Sequence, residues 1–211
     1  MVGILWDLDG TLLDTLEDLK DGVNYALRQF GYPERTLAEV RQFVGNGAKR
    51  LIDQAVPEHA DPNPVFETFR TYYAANCQIK TRPYDGVPEA LAELGKKYPM
   101  AIVSNKPDVA VKPLCNQYFP GIYARGESED CPRKPAPDMV FKTMAELGVD
   151  SCVYVGDSEV DVLTAKNAGV PCLSVLWGFR DREEIEGMGG SHFCEHTEEL
   201  VDKLEEIIHG K

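Results

Sequence analysis

The 211-residue chain has no cysteine pair spaced as C-x-x-C: Cys77, Cys115, Cys131, Cys152, Cys172 and Cys194 are scattered along it. A zinc knuckle and a dithiol redox motif are thereby excluded, and free thiols are expected. Basic residues are scarce, 22 Lys and Arg against 35 Asp and Glu, for a formal net charge of −13. A surface for nucleic acid or for an anionic membrane needs a basic patch that this composition scarcely supplies. Long apolar runs are missing too. Residues 1–8 lack a basic n-region and a small-residue cleavage site, and no stretch is long enough to cross a bilayer, so the expected location is cytoplasmic. Repeats and low-complexity tracts are also lacking. What remains, 43% hydrophobic and 27% charged residues, is an ordinary globular composition with room for one core and a smaller accessory unit. Monomer and homodimer both stay open.

Short apolar, β-rich runs recur at Gly3 to Trp6, Met100 to Val103, Cys152 to Val155 and Pro171 to Leu176, with helix-like segments between them. This alternation predicts an α/β fold, a Rossmann-like, mostly parallel sheet with helices on both faces, whose ligands bind at the carboxyl ends of the strands. Three of the runs end in polar residues: Asp7 and Asp9, then Ser104 and Asn105, then Gly156 and Asp157. These groups should meet on one rim. Between about Thr15 and Tyr84 helical periodicity continues (Leu16, Leu19, Val23, Ala26, Leu27; Phe66, Phe69, Tyr72, Tyr73) without a convincing strand. Breakers at Gly31 to Pro33, Gly45 to Gly47 and Pro57 to Pro64 divide it into about four helices. The expected organisation is therefore a core of residues 1–14 and 85–211 and a small α-helical cap of residues 15–84, inserted after the first strand as a lid over the rim.

Asp7-Leu8-Asp9-Gly10-Thr11 sets two carboxylates two residues apart at a strand end, on the same side of the chain. One can attack phosphorus while the other protonates a leaving oxygen and later deprotonates water. The plainer alternative is an Asp-Gly turn that caps the next helix. Gly156-Asp157-Ser158, followed by Asp161, supplies the oxygen ligands that Mg²⁺ prefers, and a site between Asp7, Asp157 and a backbone carbonyl would fit. A helix N-cap cluster explains the same residues without a metal. Ser104 and Asn105 offer a hydroxyl and amide donors for phosphoryl oxygens, or simply cap a turn. Lys134, between Arg133 and Pro135-Ala136-Pro137, stands on a stiffened backbone that restricts where its ammonium points; an exposed loop lysine is the alternative.

In this order and spacing, DLDGT, SN, KPAP and GDSEVD resemble the four motifs of the haloacid dehalogenase phosphatases, over nearly the whole chain. The resemblance implies Asp7 as nucleophile and Asp9 as general acid and base, with Ser104, Asn105 and Lys134 at the phosphoryl group. It also implies Mg²⁺ held by Asp7, Asp157 and the backbone carbonyl of Asp9, with Asp161 in support. The helical insert resembles the small cap that follows the first motif in one subgroup, with Asp14 and Thr15 at its hinge.

Val44-Gly45-Asn46-Gly47-Ala48-Lys49-Arg50 and Leu176-Trp177-Gly178-Phe179-Arg180 resemble stretches of phosphoglycolate phosphatases. Gly45, Asn46 and Gly47 ahead of a helix can aim backbone N–H groups at an anion, and Lys49 or Arg50 would meet a substrate carboxylate; a plain interhelical turn with solvated lysine and arginine accounts for them equally. Trp177 and Phe179 read as packing residues. His59, His192, His196 and His209 lie away from every motif. The expected activity is hydrolysis of small-molecule phosphate monoesters, 2-phosphoglycolate first, through an aspartyl-phosphate intermediate. The rivals are a phosphosugar mutase of the beta-phosphoglucomutase kind, a pyrophosphatase or nucleotidase, a dehalogenase, and a catalytically idle binding protein.

Overall fold

The computed structural model describes residues 1–129 and 131–210. Val2–Trp6 forms β1, and its side chains alternate between two cores as strand geometry requires. Ile4 and Trp6 face one helical layer with Ile102, Val153 and Val155, whereas Leu5 faces the opposite layer with Ala101, Val103, Cys152 and Tyr154. The remaining sheet strands are β4 (Met100–Pro107), β5 (Tyr123–Glu127), β6 (Ser151–Gly156), β7 (Cys172–Val175) and β8 (His192–Cys194), in the order β5-β4-β1-β6-β7-β8. Every pairing is parallel. Helices α5 (Val87–Leu94), α6 (Asp108–Tyr118) and α10 (Leu200–His209) cover the first face, and α7 (Asp138–Leu147) and α8 (Glu159–Ala168) the second. A six-residue α9 (Arg182–Gly187) precedes β8.

Two sheet strands, β5 and β8, fall outside the four apolar runs. The central part of β5 reads Ala124-Arg125-Gly126, and β8 spans three residues. Edge strands this short and polar carry no periodic signal of their own and take their place by pairing with β4 and β7.

After β1 the chain pairs Leu13–Asp14 (β2) antiparallel with Arg82–Pro83 (β3). This two-stranded ribbon corrects the expectation of no strand before Tyr84. Between its strands lie four helices, α1 (Leu16–Gln29), α2 (Leu37–Phe43), α3 (Ala48–Ala55) and α4 (Pro62–Asn76), separated at the three predicted breakers. Their apolar faces close on a core of their own, including Leu19, Val23, Leu27, Ile52, Val65 and Phe69. The Thr36–Glu39 capping box starts α2, and Asp61 with Pro62 starts α4. Asp18 of α1 accepts the Lys80 and Thr81 backbone N–H groups, which ties the end of the four-helix segment to its beginning. All six cysteines are free. Among the described residues no helix is long and apolar enough to cross a membrane.

Candidate active site

Register decides which polar groups meet. Trp6 is level with Ile102 of β4 and Val155 of β6, so the residues that follow all three strands emerge at one sheet edge. The Asp7 N–H continues the ladder by donating to the Val155 carbonyl (2.8 Å). There a cavity of about 350 Å³ separates the sheet from the four helices. Asp7, Asp9, Ser104, Asn105, Lys134 and Asp157 line its floor, while Leu19, Val44, Leu51, Phe66 and Phe69 form much of its roof.

One buried cation ties much of the floor together. The Lys134 ammonium sits 2.7 Å from Asp7 Oδ1 and 2.8 Å from Asp161 Oδ1, and donates to the Tyr154 hydroxyl at 3.0 Å. Its backbone is pinned as well. Asn105 Oδ1 accepts the Lys134 N–H (2.8 Å), and Asn105 Nδ2 donates to the Lys134 carbonyl (3.0 Å) and to the Gly45 carbonyl (3.2 Å). The Asn105 side chain is thus engaged in placing Lys134. Ser104 is buried and its Oγ accepts the Lys106 N–H.

Asp161 joins the cap of α8 to Lys134. Its Oδ2 accepts the N–H groups of Asp157 and Ser158 and the Ser158 hydroxyl, capping α8, while Oδ1 binds Lys134. Asp157 is held by the Phe179 N–H (2.7 Å) and the Thr11 hydroxyl (3.1 Å). Gly10 makes room for it: at φ +85° a Cβ there would stand against the Asp157 carboxylate.

Carboxylate oxygens of Asp7, Asp157 and Asp161 lie within 4.8 Å of one another. One ammonium does not balance three such charges. Burial raises Asp7 well above the usual carboxylate range; Lys134 opposes this, and Asp161 and Asp157 add to it. Burial, then Asp161, pushes Asp157 up to about 7. Buried Asp7 and Asp157 resist ionisation, so the cluster is short of positive charge, and its all-oxygen donors suit a hard divalent cation.

Asp9 stands apart from this cluster. Its Oδ1 accepts from the Lys106 ammonium at 2.9 Å, and Lys106 also donates to the Tyr73 hydroxyl of α4 at 2.9 Å. Burial by itself pulls Lys106 down, but Asp9 and Tyr73 outweigh it and leave the ammonium raised. Burial drives the Tyr73 hydroxyl up.

Of the residues read from the Val44 to Arg50 stretch, Gly45 and Gly47 reach the cavity, whereas Asn46, Lys49 and Arg50 are not among its lining. Lys49 donates instead to Asn63 Oδ1 (2.8 Å) beside the Phe66 ring, and Arg50 is exposed. Helical phase is the reason. Leu51, Ile52 and Ala55 are the buried face of α3, so positions 49 and 50 turn toward solvent.

Sequence reasoning gave no individual role to Lys106, Tyr73 or Arg180. Arg180 is buried and donates to the carbonyls of Arg41, Gln42 and Val44 at the end of α2 while pairing with Glu159 (2.9 Å). Beside it Phe179 inserts into the core of the four helices, and Trp177 Nε1 donates to the Thr11 carbonyl. A clue to Lys106 was present in its adjacency to Ser104-Asn105. Tyr73 meets Lys106 across 33 residues, and Arg180 meets Glu159 across 21 and the end of α2 across 136 or more, separations that leave no local trace.

Comparison with known proteins agrees with this geometry. A phosphoglycolate phosphatase of Mesorhizobium japonicum is 35% identical, covering 95% of this chain and 95% of its own. One from Pseudomonas savastanoi pv. phaseolicola is 34% identical, covering 98% of this chain and 78% of its own. A crystal structure from Lactobacillus delbrueckii subsp. bulgaricus, 35% identical, superposes with a TM-score of 0.90 over 96% of this chain and 97% of that one. The sequence profile of the haloacid dehalogenase-like hydrolases matches residues 4–175, from β1 to the end of β7, and with the parallel sheet and its carboxylate-lined edge this establishes that the chain belongs to that family.

Proposed function

We propose that this haloacid dehalogenase-like phosphatase hydrolyses 2-phosphoglycolate, with Asp7 as nucleophile and Asp9 as general acid and base. The observation that carries the reading is the Asp7 carboxylate at the end of β1, clamped by Lys134 at 2.7 Å and opening on a cavity of small-metabolite size. In the first step an Asp7 oxygen forms a bond to phosphorus as the ester P–O bond breaks. The electron pair leaves with the glycolate oxygen, which takes a proton from Asp9. In the second step water gives a proton of its own to Asp9 and attacks the aspartyl phosphate, breaking the acyl P–O bond, releasing inorganic phosphate and regenerating the Asp7 carboxylate.

Ser104 and Lys134 bind the phosphoryl oxygens in this reading, and Asn105 positions Lys134. Asp7 and Asp157, with the backbone carbonyl of Asp9, would hold Mg²⁺, and Asp161 supports them by capping α8 and orienting Lys134. The metal supplies positive charge where an anionic ester must meet buried carboxylates. Residues 15–84 act as the cap, hinged on the β2–β3 ribbon, and residues 1–14 and 85–211 as the catalytic core. The names of the 35% and 34% identical relatives support the choice of substrate.

A panel of phosphate monoesters tests the reading. 2-Phosphoglycolate should be the preferred substrate, chelation with EDTA should abolish turnover and Mg²⁺ should restore it. Asp7→Asn should remove turnover and the hydroxylamine-sensitive acyl phosphate together. A folded Asp7→Asn enzyme that still hydrolyses the ester refutes the nucleophile assignment.

A further inference from the structure

We propose that Lys106 receives the carboxylate of the substrate's leaving group and so sets the preference for a carboxylated alkyl phosphate over an uncharged one. The inference rests on the 2-phosphoglycolate reading and adds the residue that would enforce it. The cavity is lined by four cations among the described residues: Arg70, Lys106, Lys134 and Arg180. Three have other duties. Lys134 is engaged by Asp7 and Asp161. The Arg180 guanidinium is spread over three carbonyls and Glu159, and Arg70 is exposed and paired with Glu67. Lys106 differs in place and in chemistry.

Its side chain is 5% exposed, and its ammonium stands 2.9 Å from Asp9 Oδ1. An ammonium carries three N–H donors; Asp9 takes one and the Tyr73 hydroxyl a second. Substrate geometry supplies the rest. In 2-phosphoglycolate one methylene separates the bridging oxygen from the carboxylate. The bridging oxygen has to come within hydrogen-bond reach of Asp9, its proton donor. A carboxylate one carbon further on then falls within reach of a cation that itself touches Asp9. A leaving group without charge makes no such contact, and Lys106 stays with Asp9 and Tyr73. Charged hydrogen bonds of this kind correspond to roughly 10- to 100-fold in affinity.

The test compares kcat/KM for 2-phosphoglycolate and for ethyl phosphate, which replaces the carboxylate with a methyl group, in wild type, Lys106→Gln and Lys106→Arg. The ratio of the two values should fall roughly 10- to 100-fold in Lys106→Gln, through KM, and recover most of the way in Lys106→Arg. Should Lys106→Gln fail to show a cooperative thermal transition, Lys106→Met gives the same comparison with the aliphatic stem retained. Equal losses on both substrates would reduce Lys106 to a positioning residue for Asp9 and overturn the inference while leaving the substrate assignment standing. A wild-type enzyme with no preference for 2-phosphoglycolate over ethyl phosphate overturns the substrate assignment itself, and this inference with it.

Discussion

Asp157→Asn should make the metal-free protein more stable at pH 8, although it alters a buried side chain of the site. Asn keeps the shape: its Oδ1 can accept the Phe179 N–H, and its amide can donate to the Thr11 hydroxyl, which is able to accept. What disappears is a negative charge beside Asp7 and Asp161. The folded-state value of about 7 lies above the ordinary aspartate value of 3.8, which corresponds to about 4 kcal/mol. The folded pKa is raised, so this contribution to stability is fully present below about pH 4 and lost as pH rises to about 7. The variant lacks that loss. Its advantage should therefore be near zero at about pH 4 and up to about 4 kcal/mol at pH 8, or roughly 10 °C in melting temperature for a chain of this size. Differential scanning calorimetry in EDTA at both pH values measures it. Adding Mg²⁺ should raise the melting temperature of wild type at pH 8 and leave the variant's unmoved. A variant less stable than wild type at pH 8 without metal would refute the claim that the carboxylate cluster is short of positive charge.

Asp161→Asn sets an amide against the Lys134 ammonium or takes the cap from α8; breaking such a buried pair should cost about 3–5 kcal/mol, and a loss under 1 kcal/mol in urea unfolding would contradict it. Arg180→Ala leaves the carbonyls of Arg41, Gln42 and Val44 without their shared donor. About 2–4 kcal/mol of stability should go, and KM should rise more than kcat falls, because the contact joins the core loop to the helical segment. Unchanged KM would remove that contact from substrate binding. Gly10→Ala forces a Cβ against the Asp157 carboxylate at a left-handed φ, and should lower activity by more than tenfold and abolish the Mg²⁺-dependent rise in melting temperature.

Four of the six sheet strands were legible because they are buried on both faces and read as continuous apolar runs, three of them stopped by polar residues that face the cavity. The four helices were legible from periodicity and breakers. Lys134 and Asp161 were visible as residues, but their pairing was not: 27 positions separate them, and only the packing of α8 beside β6 sets them 2.8 Å apart. Lys49 and Arg50 show the reverse error, since a basic pair after a glycine turn suggests an anion site until helical phase points it toward solvent.

From the sequence alone follow the parallel sheet, the helical insert and the residue types at each strand end, because hydrophobic period and local turn chemistry are properties of neighbouring residues. Tertiary structure decided which of those residues share a charge balance. Lys134 stands between Asp7 and Asp161, Lys106 pairs with Asp9 across 97 positions, and Arg180 reaches back to α2 across 136 to 139. Coulombic interaction depends on distance in space and on burial, and neither is set until the sheet has closed and the helices have settled over its edge.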